Sequence, residues 1–252
     1  MTASIRVLTW NVLHRVHAVN WSEAPVVSFP DERVRLERIA ERLVELSPGL
    51  DVVSLQEVSG DQLVRLRAGF ANADLHTHRH PRMPALRRPP GHPSDVLDDP
   101  TEHLVTIVLS GAGRGAHAAA GPGDPGKGLL GVELERSGAP PVEVIGAHVS
   151  FGDRGAGQLA MIAARIATAK GPVVVLGDFN ASADVVAAAL GPDVAVADLA
   201  GLRPTRIATG DRPSRTIDHV VVARATILSA DVLDGRGLSD HNPVVAEIRL
   251  DA

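Results

Sequence analysis

The chain has 252 residues, a net charge of −5, 44% apolar residues and no cysteine. These values describe a globular protein with a sizeable core and exclude disulfides, thiol catalysis and cysteine-ligated zinc. The negative charge, with four Phe, two Trp and no Tyr, argues against a broad basic or aromatic groove for nucleic acid. A short nucleotide end held by a metal stays open.

"SIRVLTWN" reads as a strand ending at Asn11. Residues 31–46 repeat apolar side chains at Val34, Leu36, Ile39, Leu43 and Leu46. That is helical spacing with a charged outer face, and Asp31 suits the N-cap. "DVVSLQE" reads as a buried strand ending at Glu57, followed by a short helix over 60–68. Residues 71–103 are rich in Pro, His and Arg without periodicity and are expected to form a long loop. Strands resume at "HLVTIVLS". A second loop is expected over 111–128, then strands at "LLGVELER" and "VEVIGAHVS". Residues 157–169 read as helix, "PVVVLGD" as strand and 182–190 as helix. The last third offers strands at "TIDHVVV", "ATILSADVL" and "PVVAEIRL". Helix-linked and adjacent strands occur together, which predicts one α/β domain over 1–252 built from two mixed sheets with helices outside. The first ten residues carry no signal pattern, and no apolar run approaches the ~20 residues of a membrane span. The chain is therefore expected to be cytoplasmic and without a membrane partner. It is also expected to be a monomer.

Polar residues stand at the ends of these apolar strands. They are Asn11 in "TWNVL", Glu57 in "SLQEV", His148 in "IGAHVS", Asp178 and Asn180 in "LGDFN", Asp218 in "TIDHV", and Asp240 with His241 in "LSDHNPV". Each has an ordinary reading alone. Asn11, Asn180 and "SDHNP" could serve turns, Glu57 could face a helix dipole, and His148 could be a satisfied core histidine. Asp218 is harder to dismiss, because a carboxylate in an apolar run needs a partner. Taken together, oxygen-rich side chains without cysteine favour Mg²⁺ or Mn²⁺ over zinc.

In this order, "TWNV", "QE", "GDFN", "IDHV" and "SDHNPV" make nearly the whole chain resemble the endonuclease/exonuclease/phosphatase superfamily of deoxyribonuclease-like phosphoesterases. The resemblance implies a four-layer α/β sandwich, two β-sheets between helices, with the site at one end of the sheets. It implies hydrolysis of a phosphoester with Mg²⁺ or Mn²⁺. Glu57 would hold the metal, with Asn11 beside it and Asp240 near. Asp178 would orient and deprotonate water, helped by Asn180. His241 would contact the scissile phosphate, oriented by Asp218, and His148 would contact it from the other side. Relatives often carry a tyrosine or glutamate in the middle strands; without tyrosine, Glu102 is the candidate. Arg203, Arg206, Arg212 and Arg215, just before Asp218, could bind the substrate phosphate or form a solvated loop. The expected substrate is a nucleotide or an RNA end. The alternatives are DNA cleavage by the same chemistry, or a binding module that kept the fold without catalysis.

Overall fold

The structure is a computed structural model that describes residues 4–87, 97–137 and 141–250. In chain order the first half runs β1 (Ser4–Asn11), α1 (Arg15–Trp21), α2 (Pro25–Ser28), α3 (Glu32–Leu46), β2 (Val52–Ser59), α4 (Gly60–Gly69), β3 (Asp74–Arg79) and β4 (Glu102–Val108). The remainder runs β5 (Ala112–Gly121), β6 (Asp124–Glu135), β7 (Val142–His148), α5 (Asp153–Thr168), β8 (Val173–Asp178), α6 (Ala183–Leu190), β9 (Val194–Val196), β10 (Asp218–Ala223), β11 (Ala225–Val232) and β12 (Val244–Leu250).

Two six-stranded sheets form, ordered β11-β12-β1-β2-β4-β3 and β5-β6-β7-β8-β10-β9. Both are mixed: β1 runs parallel to β2, and β7 parallel to β8, while the neighbouring pairs are antiparallel. Successive strand residues face opposite ways, and the buried residues sort accordingly. Val7, Val52, Val144, Val174, Leu176, Val220 and Ile248 meet between the sheets. Leu8, Trp10, Val53 and Leu55 face outward onto Ile39 and Leu43 of α3 and Leu63 and Leu66 of α4. Ile145, Val173, Val175 and Val221 face Leu159, Ile162 and Ile166 of α5 and Val186 and Leu190 of α6. The result is the four-layer α/β/β/α sandwich. Central strands are covered on both faces, which is why they read as unbroken apolar runs. Asp31 does cap α3, accepting from the Arg33 N–H at 2.9 Å.

Two loop expectations are corrected. Within 71–103, residues 74–79 form edge strand β3, paired along β4; residues 88–96 lie outside the described residues. Residues 111–128 are mostly the β5–β6 hairpin. Both are edge strands with one open flank, so "DLHTHR" and "AGRGAHAAAG" need no apolar alternation to pair. The helices α1 and α2 and the strand β9 are too short for periodicity to show them. No helix among the described residues is long and apolar enough to cross a membrane.

Candidate active site

Both sheets deliver their polar strand ends to one edge of the sandwich. Asn11 ends β1 beside Gln56 of β2, His148 ends β7 beside Asp178 of β8, and Asp218 opens antiparallel β10 opposite Asp178. A cleft of about 380 Å³ lies over this edge, lined by Glu57, Lys127, Asp178, Asn180, Asp240 and His241 among others.

Local backbone irregularities aim these side chains. The β2–β4 register slips between Leu55 and Val58, and Glu57 sits in that bulge at φ 60°. A bulge re-aims a side chain that regular pleating would direct elsewhere. Gly177 has φ 153°, and a Cβ there would lie 1.9 Å from the Ala147 carbonyl oxygen, so only glycine fits between β7 and β8. Asn180, at φ 51°, donates its N–H to Asp178 Oδ1 at 2.9 Å and its Nδ2 to the Val149 carbonyl at 2.8 Å. Strand β8 therefore ends in a turn that holds Asp178 and Asn180 on the cleft. Non-glycine residues at positive φ cost free energy and cluster at functional sites.

One amide joins the two sheets at the site. Asn11 Nδ2 donates to Glu57 Oε1 at 3.2 Å and to Asp178 Oδ2 at 3.0 Å, while its oxygen accepts from the Leu13 N–H. Glu57 Oε2 accepts from the His14 N–H at 3.0 Å. His148 Nε2 lies 3.5 Å from Asp178 Oδ2 and 3.7 Å from Glu57 Oε1. The Lys127 ammonium packs against both ring nitrogens of His148 and stands 3.9 Å from Glu57 Oε1. Burial pushes the Glu57 carboxyl up, but His17, Lys127 and His148 outweigh it and hold the group at about 2. Asp178 is likewise held well below the usual carboxylate range: burial opposes, and the His148 hydrogen bond and the charge of His241 prevail.

His241 lines the same cleft close to Asp178. Its Nδ1 donates to Asp218 Oδ2 at 2.8 Å, and its backbone carbonyl accepts from Trp10 Nε1 at 2.9 Å. Burial disfavours the imidazolium, yet Asp218 and Asp240 overcome that and push His241 up to about 10. Asp240 moves the other way, up to about 6, chiefly through burial and then through the charges of Glu23 and Glu57. At neutral pH the site thus sets a cationic imidazole against an ionised carboxylate.

Of the arginines expected to bind substrate, Arg206, Arg212 and Arg215 line the cleft. Arg203 does not: it is exposed and pairs with Asp234 at 3.5 Å, outside the lining residues. Arg206 is braced by Glu23 at 2.8 Å and Asp240 at 3.3 Å. Glu102 lies 3.9 Å from His148 Nδ1, but its hydrogen bond, at 2.9 Å, is with His17. Sequence reasoning missed His17, Glu23, Lys127 and Arg154. Lys127 is hidden in a segment that reads as loop, whereas Arg82 and Arg87 fall in the basic stretch already singled out.

The donor set suits a hard divalent cation. Glu57, Asp178 and Asp240 bring three carboxylates to one cleft, the oxygen-rich donor set that a hard divalent cation takes. Two triads also bring one potential ligand atom each within 4.8 Å of one another: Asp178, Asp218 and His241, and, deeper, His80, Glu102 and His148.

The Endonuclease/Exonuclease/phosphatase family model matches residues 8–241. No curated protein matches the sequence. Among solved structures, the chain is similar to an endonuclease/exonuclease/phosphatase from Bacteroides vulgatus, with TM-score 0.73, 18% identity, and 99% of this chain and 100% of that one covered. It is similar to D. rerio TDP2 complexed with a single strand DNA product, with TM-score 0.69, 14% identity, and 98% and 99% covered. It is also similar to ANGEL2, a 2′,3′-cyclic phosphatase, with TM-score 0.70, 15% identity, and 100% and 96% covered. At such identities these likenesses carry the fold alone. The family match itself runs from the first central strand to the histidine on the cleft wall, and on it the chain belongs to the Endonuclease/Exonuclease/phosphatase family.

Proposed function

We propose that this chain is a Mg²⁺- or Mn²⁺-dependent phosphoesterase that hydrolyses nucleotides or nucleic-acid ends, RNA ends foremost. The observation that carries this reading is that one cleft gathers Asp178, held by Asn11 and Asn180, and the Asp218–His241 pair, with potential ligand atoms of Asp178, Asp218 and His241 all within 4.8 Å of one another. Attack of water on phosphorus forms one P–O bond and breaks another, and negative charge gathers on the phosphoryl oxygens in between. His241 is suited to donate from Nε2 to such an oxygen, because Nδ1 is committed to Asp218. Asp178 stays an acceptor at any neutral pH and is suited to orient the water and receive its proton. Asn180 fixes Asp178 through its backbone N–H and adds a polar side chain at the cleft. Lys127 and Arg206 add positive charge where the phosphate would lie, while His148, enclosed behind the cleft lining against Lys127 and Asp178, supports them from beneath. Glu57 and Asp240 would hold the cation, with Asn11 bracing Glu57 from behind. When bound, the cation would offset charge on the phosphoryl oxygens.

A relative solved with a single strand DNA product, and another that is a 2′,3′-cyclic phosphatase, support a nucleotide or nucleic-acid end as substrate here. The test is hydrolysis of phosphomonoesters, phosphodiesters, short RNA, and single- and double-stranded DNA, with Mg²⁺, with Mn²⁺ and with chelator. We expect metal-dependent turnover that Asp178→Asn lowers by at least ~10²-fold. No turnover across the panel, or an unaffected Asp178→Asn variant, would overturn the proposal.

A further inference from the structure

Of the six Phe and Trp side chains, only Trp21 and Phe151 are exposed, at 48% and 55%, and both line the cleft. They approach from different layers. Trp21 ends α1, which follows β1 of the first sheet; Phe151 lies in the turn after β7 of the second. Trp21 is not a loose surface ring. The Arg87 guanidinium lies 4.4 Å from its centroid and that of Arg212 lies 5.4 Å away. Arg212 is itself held by the Trp21 carbonyl at 2.7 Å and by Glu23 at 2.7 Å. Exposed aromatic rings beside guanidinium groups, that of Arg212 held in place, match a ligand that carries a flat π-system next to phosphate. Nucleobases stack on aromatic rings and on arginine planes, while arginine also pairs with phosphate oxygens.

We infer that Trp21 and Phe151 form a base-stacking subsite at the mouth of the cleft, so that the preferred phosphoester carries an unpaired nucleobase next to the scissile phosphate. This deepens the phosphoesterase reading and rests on it. A duplex keeps its bases stacked on one another, so the subsite selects single strands or mononucleotides.

The chain offers its own reporter. Trp10 is fully buried, so the solvent-exposed tryptophan emission comes from Trp21. With chelator present to prevent turnover, adenosine 5′-monophosphate should quench that emission and bind more tightly than ribose 5-phosphate, from about fivefold to about a hundredfold per stacked base. Phe151→Ala and Trp21→Ala should each erode the preference, read for the latter by calorimetry, and Trp21→Phe should restore most of it. In turnover assays, a single-stranded oligonucleotide should be cleaved faster than the same backbone made abasic beside the scissile phosphate. The two alanine variants should narrow that ratio by slowing cleavage of the base-bearing strand more than that of the abasic one. Equal affinity for the two monophosphates, or an unchanged preference in both alanine variants, overturns the subsite while metal-dependent hydrolysis stands. Base-selective quenching without hydrolysis of any substrate would sink the phosphoesterase reading and keep the subsite. A blue shift with phosphatidylcholine vesicles, and none of the nucleotide effects, would reassign the two rings to a lipid surface and overturn the inference.

Discussion

Replacing Asp218 by asparagine should weaken the hold of His241 on its proton. The ring is 4% exposed, with Nδ1 2.8 Å from Asp218 Oδ2 and Nε2 4.0 Å from Asp240 Oδ2. Burial alone would lower its pKa; Asp218 first, then Asp240 and Asp178, lift it from 6.5 to about 10. At about 1.4 kcal/mol for each tenfold in proton affinity, that lift is on the order of 5 kcal/mol in favour of the imidazolium. Asparagine keeps the shape of Asp218 and removes its charge, while burial remains. His241 should then titrate clearly below its wild-type value, with Asp240 and Asp178 still raising it against burial. Nitrogen NMR of the ring against pH reads this directly, with His241→Gln to assign the resonance. Stability should follow the same proton. A folded-state pKa raised above its unfolded value contributes stability that is complete below about pH 6.5 and is lost as pH rises through about 10. The denaturation gap between wild type and Asp218→Asn should therefore be ~3–5 kcal/mol at pH 6, the cost of breaking a buried pair, and narrow by pH 10.5. In kinetics the pair should act as a unit. Asp218→Ala and His241→Ala should each cut kcat/KM heavily, and the double variant should be little worse than His241→Ala alone. A His241 that still titrates near 10 in the Asp218→Asn variant, or log-additive kinetic losses, would refute the coupling.

Glu57→Gln should weaken Mg²⁺ or Mn²⁺ binding at least ~10-fold in calorimetric titration with the fold retained; equal affinities would remove Glu57 from the metal shell. Gly177→Ala should destabilise by ~2–3 kcal/mol, because its Cβ would meet the Ala147 carbonyl at 1.9 Å; a change within ~0.5 kcal/mol in denaturant would mean that β7 and β8 separate easily. His14 caps α1 as a neutral ring, with Nδ1 accepting from the Val16 N–H and Nε2 facing the Pro100 carbonyl, and burial lowers it to about 4. Between pH 4 and 6.5 the unfolded chain binds a proton that the folded chain refuses, so stability falls as pH drops through that window. His14→Asn, which can still cap, should flatten the loss between pH 7 and pH 5 by about 2 kcal/mol. Parallel pH curves for the two proteins would exclude His14 as a source of acid sensitivity.

The sandwich was legible because its central strands are buried on both faces and leave no doubt as apolar runs. The strand-end residues were legible because Asp178 and Asp218 interrupt those runs, and a buried carboxylate has to be answered by something. What answers it was less visible. Lys127 sits in "GPGDPGKG", where glycine and proline read as loop, yet the segment is an edge hairpin held by backbone pairing. His17 and Glu23 belong to or flank a seven-residue helix that offers too few turns for a periodic signal. The bulge at Glu57 leaves no mark on "SLQEV", because positive φ at a glutamate is imposed by its surroundings. Arg203 and Arg206 look alike in sequence; three residues of irregular chain send one to Asp234 and the other to Glu23. Composition misled once in spirit: six aromatics are few, but the two exposed ones both stand at the cleft.

The position of β12 has a consequence for the timing of synthesis. That strand inserts between β11 and β1, and the His241 carbonyl just ahead of it receives a bond from Trp10, 231 residues earlier. At ~5–20 residues per second, a ribosome needs on the order of 10–50 s to travel between those two partners. Until it does, β1 lacks one of its two neighbours and the cleft lacks one of its walls. A nascent chain can carry Asn11, Glu57 and Asp178 outside the exit tunnel while the bond from Trp10 to His241 and the β1–β12 pairing are still unmade, so the cleft is complete only after β12 has cleared the tunnel.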